Sequence, residues 1–379
     1  MANKTKKKMN VLNVLWGYGT GGIGKLFLTY AKLGEFDSDL NFKSVCIVLQ
    51  NCNTDIESLF DNNIEIIPIK SRKDLSWLKK LGNIADLYRP DITFCHGFNG
   101  PIVVKVASFF RRSLRVPMVC TYHGLYNAPT SNRIYVASFI NKLQAWVYKR
   151  YAKTVILVAK YSGKYLIERG VPLEKMQVVY NGISREYSKK KLGLNGVGVS
   201  IGMVGRLDAI KGLNYLIEAV PYILKNTNYD FHIYIVGDGP EENNLKNLVH
   251  NLKLDKFISF EGFQSNISEW LNSWDVFCLP SLQENHSVAL LEAMRAEKAI
   301  ICTNVGGNPE TVVDGKEALL VPSSDSITLG KALLKVIENE DLRAELGRNA
   351  KDRFLSCFTE DVMKKKLCNI LKTVKYNVK

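Results

Sequence analysis

The sequence predicts an α/β protein made of two Rossmann-like, doubly wound domains that face a central cleft. Apolar runs of strand length alternate with amphipathic stretches of helical length, which is typical of a parallel sheet with helices on both faces. The alternation breaks once, around residues 186–198, and then restarts. A chain of 379 residues also exceeds the usual size of a single hydrophobic core, which favours two domains.

Six apolar runs predict the strands of the first domain, because they are rich in Val, Ile and aromatic residues and end at polar or glycine-containing segments. These runs cover residues 11–16, 42–50, 64–69, 91–96, 116–123 and 154–159. Amphipathic segments between them, such as residues 24–34 and 134–151, predict the covering helices.

Six further runs predict the strands of the second domain. These runs cover residues 200–207, 231–239, 256–262, 276–281, 299–304 and 318–322. The break before them is charged and then glycine-rich, which predicts a hinge. We therefore divide the chain into a first domain (1–190), a second domain (191–355) and a C-terminal helix (356–379) that is expected to cross back onto the first domain.

The composition is that of a folded globular protein, with 46% apolar and 23% charged residues. No apolar run approaches the roughly 18 residues that span a bilayer, and the basic N-terminus is not followed by the apolar region of a signal peptide. The eight cysteines stand singly, without a C-x-x-C pair, which favours buried thiols in a reducing compartment. We therefore expect a cytoplasmic protein.

Positive charge is concentrated in the first half of the chain. Residues 1–191 hold 30 basic and 13 acidic side chains, a balance of +17, whereas the remainder holds 21 and 24, a balance of −3. Between Asp91 and Glu168 there are eleven basic residues and no acidic one. Such asymmetry indicates a polyanionic partner, which is an acidic membrane surface, a nucleic acid or a phosphorylated acceptor.

Two segments of this acid-free region mix aromatic residues with Arg and Lys, namely residues 109–115 and 133–153. Segments of this kind lie at membrane interfaces. An ordinary packed helix is an equally good interpretation of the second segment. Together with the basic N-terminal arm, they favour peripheral contact with an anionic membrane at the inner face of the cell.

A glycine-rich stretch, WGYGTGGIGK, follows the first predicted strand. Its glycines match G-x-G-x-x-G, but Gln50 stands where a dinucleotide site expects an acid, and Leu26 where a P-loop expects Ser or Thr. The helix that begins near Gly22 still points free N–H groups at a ligand. We predict contact with a phosphate or sugar; the alternative is a tight turn that serves only the fold.

Two basic residues follow the first strand of the second domain, in VGRLDAIKG. Arg206 offers a planar fork and Lys211 a mobile point charge, and together they suit a diphosphate; the alternative is a solvated helix start. The next strand ends in VGDGP, where Gly237 leaves room for a flat base or makes a plain turn. Phe263, after the third strand, is a second candidate for contact with a base.

The stretch SLQENHSVALLEAM holds two glutamates, Glu284 and Glu292, eight positions apart. Ser287 is predicted to cap a helix that follows. Glu292 interrupts the apolar face of that helix, and a carboxylate in such a place needs hydrogen-bond donors. A ribose diol supplies two, so we predict that Glu292 binds a ribose and Glu284 faces the sugar beyond; the alternative is a buried Glu292 paired with an internal Arg or Lys.

A D-x-D triplet, Asp37-Ser38-Asp39, is a candidate metal site, because carboxylate oxygens bind divalent cations. It lies in a polar connection and not after a strand, so we do not assign it to a metal site. The sequence offers no other metal constellation, and we expect neither a metal nor another cofactor.

Several motifs together resemble glycosyltransferase family 4, the group 1 glycosyltransferases. They are GGIG (21–24), NGI (181–183), GRLDAIKG (205–212), VGDGP (236–240), E-x7-E (284–292), LLEAM (290–294) and VGGNPE (305–310). The resemblance covers nearly the whole chain and is more specific in the second half. It implies a GT-B fold, a nucleotide-sugar donor and retention of anomeric configuration without a metal.

The resemblance also implies roles for individual residues. In the second domain it places Glu292 on the donor ribose and Arg206 and Lys211 on the diphosphate. It places Glu284 and the amides of His286, Ser287 and Val288 around the donor sugar. In the first domain it places Gly22 on the diphosphate and His123 at the reacting centre. Asn285 and His286 depart from the residues that usually follow the first glutamate, so the sugar itself is not predicted.

The sequence therefore predicts a glycosyltransferase with a nucleotide-sugar donor, UDP preferred, and a glycan or lipid-linked acceptor, as in bacterial surface polysaccharide synthesis. A nucleotide-sugar epimerase or hydrolase on the same fold is the alternative. Nucleic-acid binding is suggested by the positive charge alone. This interpretation does not explain the arrangement of Arg206, Lys211 and Glu292, so no nucleic-acid partner is expected.

Overall fold

The computed structural model describes residues 8–17, 22–50, 64–71, 73–97, 99–124, 134–194 and 198–376. The chain divides into two compact units. The first consists of Met1–Asn181 with Glu360–Lys379, and the second of Gly182–Thr359.

The first unit is built on a parallel sheet. Its strands are β1 (Met9–Trp16), β2 (Leu40–Leu49), β3 (Ile64–Ile69), β4 (Ile92–His96), β5 (Met118–Tyr122), β6 (Ala152–Leu157) and β7 (Met176–Val178). Its helices before the second unit are α1 (Gly22–Ala31), α2 (Leu33–Phe36), α3 (Ser76–Tyr88), α4 (Gly100–Phe110), α5 (Ile134–Tyr151) and α6 (Gly163–Glu168). The strand order is β3-β2-β1-β4-β5-β6-β7, so the direction of winding reverses between β1 and β4.

The second unit repeats this plan. Its strands are β8 (Val199–Val204), β9 (Phe231–Val236), β10 (Ile258–Gly262), β11 (Val276–Leu279), β12 (Ala299–Thr303) and β13 (Leu319–Val321). Its helices are α7 (Leu213–Asn226), α8 (Glu242–Asn251), α9 (Ile267–Ser273), α10 (Val288–Arg295), α11 (Asn308–Thr311), α12 (Ser326–Ile337) and α13 (Glu340–Cys357). The order is β10-β9-β8-β11-β12-β13, all parallel, and it reverses between β8 and β11.

The prediction of two doubly wound units is confirmed. A strand overlaps each of the twelve predicted runs, although β1, β2, β6 and β8 begin one or two residues before theirs, and β7 is the additional strand. The apolar runs predict the strands of the second unit because their side chains form its core. Ile201, Ile233 and Ile301 on the strands are fully buried against Leu216 of α7 and Leu333 of α12. Each such side chain contributes about 1.5–3 kcal/mol when it leaves water.

The break between the units lies before the predicted hinge, at Asn181–Gly182. The backbone N–H of Ile183 donates to Phe358 O (3.1 Å), and Asn272 Nδ2 donates to the carbonyls of Ser188 (2.7 Å) and Lys190 (3.0 Å). The charged segment that we predicted as a hinge therefore lies along the second unit over much of its length.

The last helix, α14 (Glu360–Tyr376), groups with the first unit. Lys372 on this helix contacts both acids of the D-x-D triplet, with Nζ 2.6 Å from Asp37 Oδ2 and 3.1 Å from Asp39 Oδ2. These hydrogen bonds raise the pKa of Lys372. The triplet thus attaches the C-terminal helix to the first unit. None of the helices in the described part of the chain is long and apolar enough to cross a bilayer.

Candidate functional site

The loops that follow the parallel strands of the second unit pack backbone against backbone, and glycines make this possible. A Cβ at Gly237 would lie 1.9 Å from the carbonyl oxygen of Gly205, and one at Gly212 would lie 2.3 Å from that of Pro280. A Cβ at Gly306 would lie even closer to the carbonyl oxygen of Glu284, at 1.7 Å. Side chains are excluded from these contacts, so the loops form one rigid edge at the carboxyl ends of the strands.

Lys211 and Glu284 meet at this edge. Lys211 lies in the loop after β8 and Glu284 in the loop after β11, and these two strands are neighbours at the reversal of strand order. Lys211 Nζ is 2.5 Å from Glu284 Oε1, and Ser281 Oγ donates to the same oxygen at 2.8 Å. The two charged side chains are only 20% and 9% exposed. The contact joins a predicted diphosphate residue to a predicted donor-sugar residue.

The helix α10 begins where the sequence predicts, at Val288, with Ser287 as its N-cap. The Ser287 side chain accepts a hydrogen bond from the backbone N–H of Leu290 (3.4 Å), which confirms the capping prediction. His286, immediately before the cap, is buried, and its ring lies 5.4 Å from that of Phe358. Burial lowers the pKa of His286 to about 3, so its ring is neutral at physiological pH.

Glu292 lies on α10 and is half-buried, while Leu291 and Ala293 on either side are fully buried. The carboxylate thus interrupts the apolar face as the sequence indicates. Near the end of the helix, Arg295 donates to the carbonyl of Ser184 (3.0 Å) and lies over the ring of Tyr187 at 4.5 Å.

Three other predicted residues of the second unit lie around the same sheet edge. Arg206 is 65% exposed, and its Nε is 3.8 Å from Asp208 Oδ2. Gly237 donates its N–H to the carbonyl of Gly262 (2.8 Å), and Phe263, the next residue, is largely exposed. Arg206 is therefore available to a ligand, whereas Lys211 is already held by an acid.

Two predicted residues lie on the first unit. Gly22 is the first residue of α1, as expected, while the glycine loop before it (18–21) and the N-terminal arm (1–7) lie outside the described residues. His123 follows β5 and is half-buried, and its Nε2 is 3.1 Å from Thr121 Oγ1. Burial lowers the pKa of His123, which favours the neutral ring.

One polar residue of the first unit was missed in the sequence. His96, the last residue of β4, is fully buried and contacts Thr121 and Asn13. His96 could have been found from the polar residues that interrupt apolar strands, of which Asn13 in VLNVLW is the clearest example. Within the described residues, no group of three or more His, Cys, Asp or Glu is arranged to hold a metal ion.

Comparison with known proteins adds family information to this geometry. The model for "Glycosyl transferases group 1" matches residues 184–353, and the model for "Glycosyltransferase Family 4" matches residues 60–187. The two matches overlap at residues 184–187, and together they cover the candidate residues of the second unit and His123 of the first.

Two curated relatives illustrate the similarity. The chain is 28% identical over 254 residues to the uncharacterized glycosyltransferase MJ1178 of Methanocaldococcus jannaschii, a match that spans 65% of this chain and 66% of that protein. It is 27% identical over 305 residues to the UDP-Gal:alpha-D-GlcNAc-diphosphoundecaprenol alpha-1,3-galactosyltransferase of Escherichia coli, which spans 76% of this chain and 78% of that protein.

Solved structures show the same fold. Anabaena Alr3699/HepE, crystallised in complex with UDP-glucose, superposes with a TM-score of 0.77 over 96% of this chain and 100% of that chain, at 20% identity. Such likeness confirms the predicted GT-B fold.

Proposed function

Because the chain belongs to the group 1, family 4 glycosyltransferases, we propose that it moves a sugar from a nucleotide diphosphate, UDP preferred, to a glycan or lipid-linked acceptor. The observation that carries this proposal is the contact between Lys211 and Glu284 at the reversal of strand order. Ligands of doubly wound sheets bind outside the carboxyl ends of the strands at such a point.

The basic residues of the second unit are assigned to the diphosphate. Glu284 holds Lys211 in place, so its positive charge is oriented before a donor binds, and the exposed Arg206 supplies a fork for phosphate oxygens. Positive charge fixed beside a leaving diphosphate stabilises the charge that develops as the sugar departs. These residues supply the electrostatic assistance that a metal gives in other transferases, so we propose a metal-independent reaction.

The remaining donor contacts are assigned along α10 and the neighbouring loops. Glu292 accepts hydrogen bonds from the ribose hydroxyls. Glu284 and the backbone amides of His286, Ser287 and Val288 line the sugar, because the start of a helix carries free N–H donors. Gly237 and Phe263 contact the base.

On the first unit, His123 is assigned to the reacting sugar and Gly22 to the diphosphate. The family resemblance supplies no enzyme nucleophile, so we propose that the acceptor attacks from the face that the leaving phosphate vacates, with retention of configuration. The galactosyltransferase of E. coli, by its name, acts on a lipid diphosphate with UDP-Gal, and this supports a UDP-sugar and a lipid-linked acceptor in surface polysaccharide synthesis.

A donor-binding experiment tests the proposal. We expect one of UDP, GDP and ADP, with UDP favoured, to raise the melting temperature; at 100 times its Kd a ligand adds about 2.7 kcal/mol to stability. Glu292→Gln is expected to remove most of this shift. Glu218→Gln, which changes an exposed carboxylate on α7, is the matched control. No shift with any nucleotide at saturation would contradict the donor site.

Product analysis separates transfer from the alternative activities. The donor in this assay is a sugar derivative of the nucleotide that stabilises the protein. With it, a transferase forms a new glycoside only when an acceptor such as a short GlcNAc-diphosphate lipid is added. An epimerase converts the donor without an acceptor, and a hydrolase releases free sugar. NMR of the new anomeric proton then tests retention.

We also propose that the first unit contacts an anionic membrane. Phe109 and Phe110, at the end of α4, are exposed, as is Trp146 on α5. Lys105 Nζ lies over the rings of Phe109 (4.4 Å) and Tyr151 (4.0 Å). Exposed aromatic rings among basic groups suit the boundary between lipid headgroups and acyl chains. This surface would bring the enzyme to a lipid-linked acceptor.

A further inference from the structure

A chain of hydrogen bonds crosses four adjacent strands of the first unit and ends at His123. It begins at Ser44 on β2, passes through Asn13 on β1 and His96 on β4, and reaches Thr121 on β5. The distances are 2.9 Å from Asn13 Nδ2 to Ser44 Oγ, 2.5 Å from His96 Nε2 to Asn13 Oδ1, 2.9 Å from His96 Nδ1 to Thr121 Oγ1 and 3.1 Å from Thr121 Oγ1 to His123 Nε2.

The strand register explains why these side chains meet. Asn13 is paired with Ser44 across β1 and β2 and with Phe94 across β1 and β4. Residues two apart on a strand point to the same face, so His96 shares the face of Phe94. The pairing of Cys95 with Cys120 makes Thr121 the in-register neighbour of His96. Four strands therefore present one polar group each to a single face of the sheet.

Aromatic packing fixes the ring of His96 within this chain. Tyr30 on α1 stacks on it, with centroids 4.7 Å apart and planes within 19°. The rings of Phe27 and Phe94 meet it edge to face, at 5.7 and 4.2 Å. His96 is only 1% exposed, and burial lowers its pKa well below the usual value. The ring is thus neutral and held in one orientation.

The identity of the outer groups sets the direction of every hydrogen bond. Asn13 donates its amide to Ser44, so its oxygen accepts from His96, and Nε2 of His96 carries the hydrogen. Nδ1 of the neutral ring is then a lone pair, which accepts the one hydrogen of the Thr121 hydroxyl. The Thr121 oxygen is left as an acceptor, and His123 must donate from Nε2.

We propose that His96 is a positioning residue that acts through Thr121 to hold His123 in the tautomer with its hydrogen on Nε2. Nδ1 of His123 is then a lone pair, and within the described residues no group hydrogen bonds to it. Such an atom accepts a hydrogen bond from a sugar hydroxyl and repels a phosphate oxygen. The use of this atom in the reaction rests on the proposed function; the tautomer itself does not.

Selective ¹⁵N labelling of the histidines tests the tautomer directly in the full-length protein, because the chain has five of them. The wild type is expected to show a protonated Nε2 and an unprotonated Nδ1 for His123. Thr121→Val removes the hydroxyl at almost constant volume and is expected to give mixed or inverted ¹⁵N shifts at His123. Thr121→Ser restores the hydroxyl and the shifts. Thr154→Val, at a buried threonine of the neighbouring strand β6, is the matched control and leaves His123 unchanged.

Either of two results overturns the proposal: a hydrogen on Nδ1 of His123 in the wild type, or His123 shifts in Thr121→Val that equal those of the wild type. A purely structural role of Thr121 predicts the second result.

Kinetics separate this inference from the proposed function. Thr121→Val is expected to lower kcat for UDP release from a UDP-sugar by about tenfold, the factor for one lost hydrogen bond, with KM for the donor little changed and Thr121→Ser close to wild type. If His123→Ala transfers sugar at the wild-type rate, the assigned role of His123 is wrong, whereas the ¹⁵N shifts still decide whether the Thr121 hydroxyl, which His96 orients, controls the tautomer of His123.

Discussion

Lys211 and Glu284, which lie 73 positions apart in the chain, form a largely buried ion pair across the reversal of strand order in the second unit. The loops that hold them pack backbone against backbone at glycines, so the backbone that carries each side chain has little room to shift if its partner is removed. A buried charge without its partner is costly, because water cannot replace the lost interaction.

Breaking this pair is therefore expected to destabilise the protein. Lys211→Met and Glu284→Gln should each lower the free energy of unfolding by about 2–3 kcal/mol, and the double variant by clearly less than the sum. Urea denaturation measures this. The exposed pair of Lys246 and Glu242, at 2.6 Å, is the matched control and should be worth less than about 1 kcal/mol. Equal losses for the two pairs would contradict a buried role for Lys211 and Glu284.

Local sequence patterns predict most of the fold. Strands of the second unit such as Val276–Leu279 are continuous apolar runs, and α5 occupies the predicted residues 134–151. The strand β7 was missed because Met176–Val178 has only three residues and no buried run of its own. The two compact units divide at Asn181–Gly182, before the predicted boundary at residue 190, and the charged segment in between gains hydrogen bonds from the second unit that its polar sequence does not reveal.

The site is less predictable because its key relationships are tertiary. The sequence predicts that Lys211 contacts a diphosphate and Glu284 a sugar, but it does not predict that the two side chains contact each other, because that depends on β8 and β11 being neighbours in the sheet. The tautomer of His123 depends on His96 and Asn13, which lie on other strands. A polar residue inside an apolar strand signals such a network without naming its partners.

The glycine contacts predict a sharp difference between two substitutions. Gly306 and Gly315 both have positive φ (56° and 71°), so alanine strains the backbone at either position by about 1 kcal/mol. A Cβ at Gly306 also meets the Glu284 carbonyl, whereas one at Gly315 meets nothing within 4 Å. Gly306→Ala is expected to lower the free energy of unfolding by about 3 kcal/mol or more and to abolish nucleotide binding. Gly315→Ala is expected to lower it by about 1 kcal/mol and to leave nucleotide binding intact. Thermal melts with and without UDP measure both; similar losses would contradict the rigid-edge interpretation.

Stability is expected to fall in acid because of His286. Its pKa is about 3 in the folded protein and about 6.5 in the unfolded chain, so between these values only the unfolded chain binds the proton. The contribution is complete above pH 6.5 and declines by about 1.4 kcal/mol per pH unit below it. Between pH 7.5 and 5, His286→Gln should therefore lose about 2 kcal/mol less stability than the wild type. His250→Gln, at a histidine whose side chain is 82% exposed, is the control; an unchanged pH dependence in His286→Gln would contradict the buried neutral ring.

Metal removal is expected to leave the reaction unchanged. Asp37 and Asp39 bind Lys372, so they are engaged in attaching α14 to the first unit. EDTA should not alter sugar transfer. Asp37→Asn with Asp39→Asn should lower stability by about 1 kcal/mol, as should Lys372→Met, since the pairs are partly exposed. Two results together would show a metal role for the triplet. EDTA would abolish the activity of the wild type and Mn²⁺ would restore it, whereas Mn²⁺ would not restore the activity of the Asp37→Asn, Asp39→Asn protein.

Membrane contact is expected to depend on the aromatic residues of α4 and α5. Phe110→Ser together with Trp146→Ser should reduce the fraction of protein that floats with phosphatidylglycerol vesicles, because both rings are exposed on the two helices that also carry the contacts of Lys105 with Phe109 and Tyr151. Leu87→Ser on α3 removes an even more exposed apolar side chain of the same unit and should bind as the wild type does. Both variants keep the N-terminal arm and the net charge, so a difference between them reports the aromatic surface. Equal flotation of the two variants would show that charge alone causes the binding. Replacing the vesicles with phosphatidylcholine, or adding high salt, would then abolish the binding.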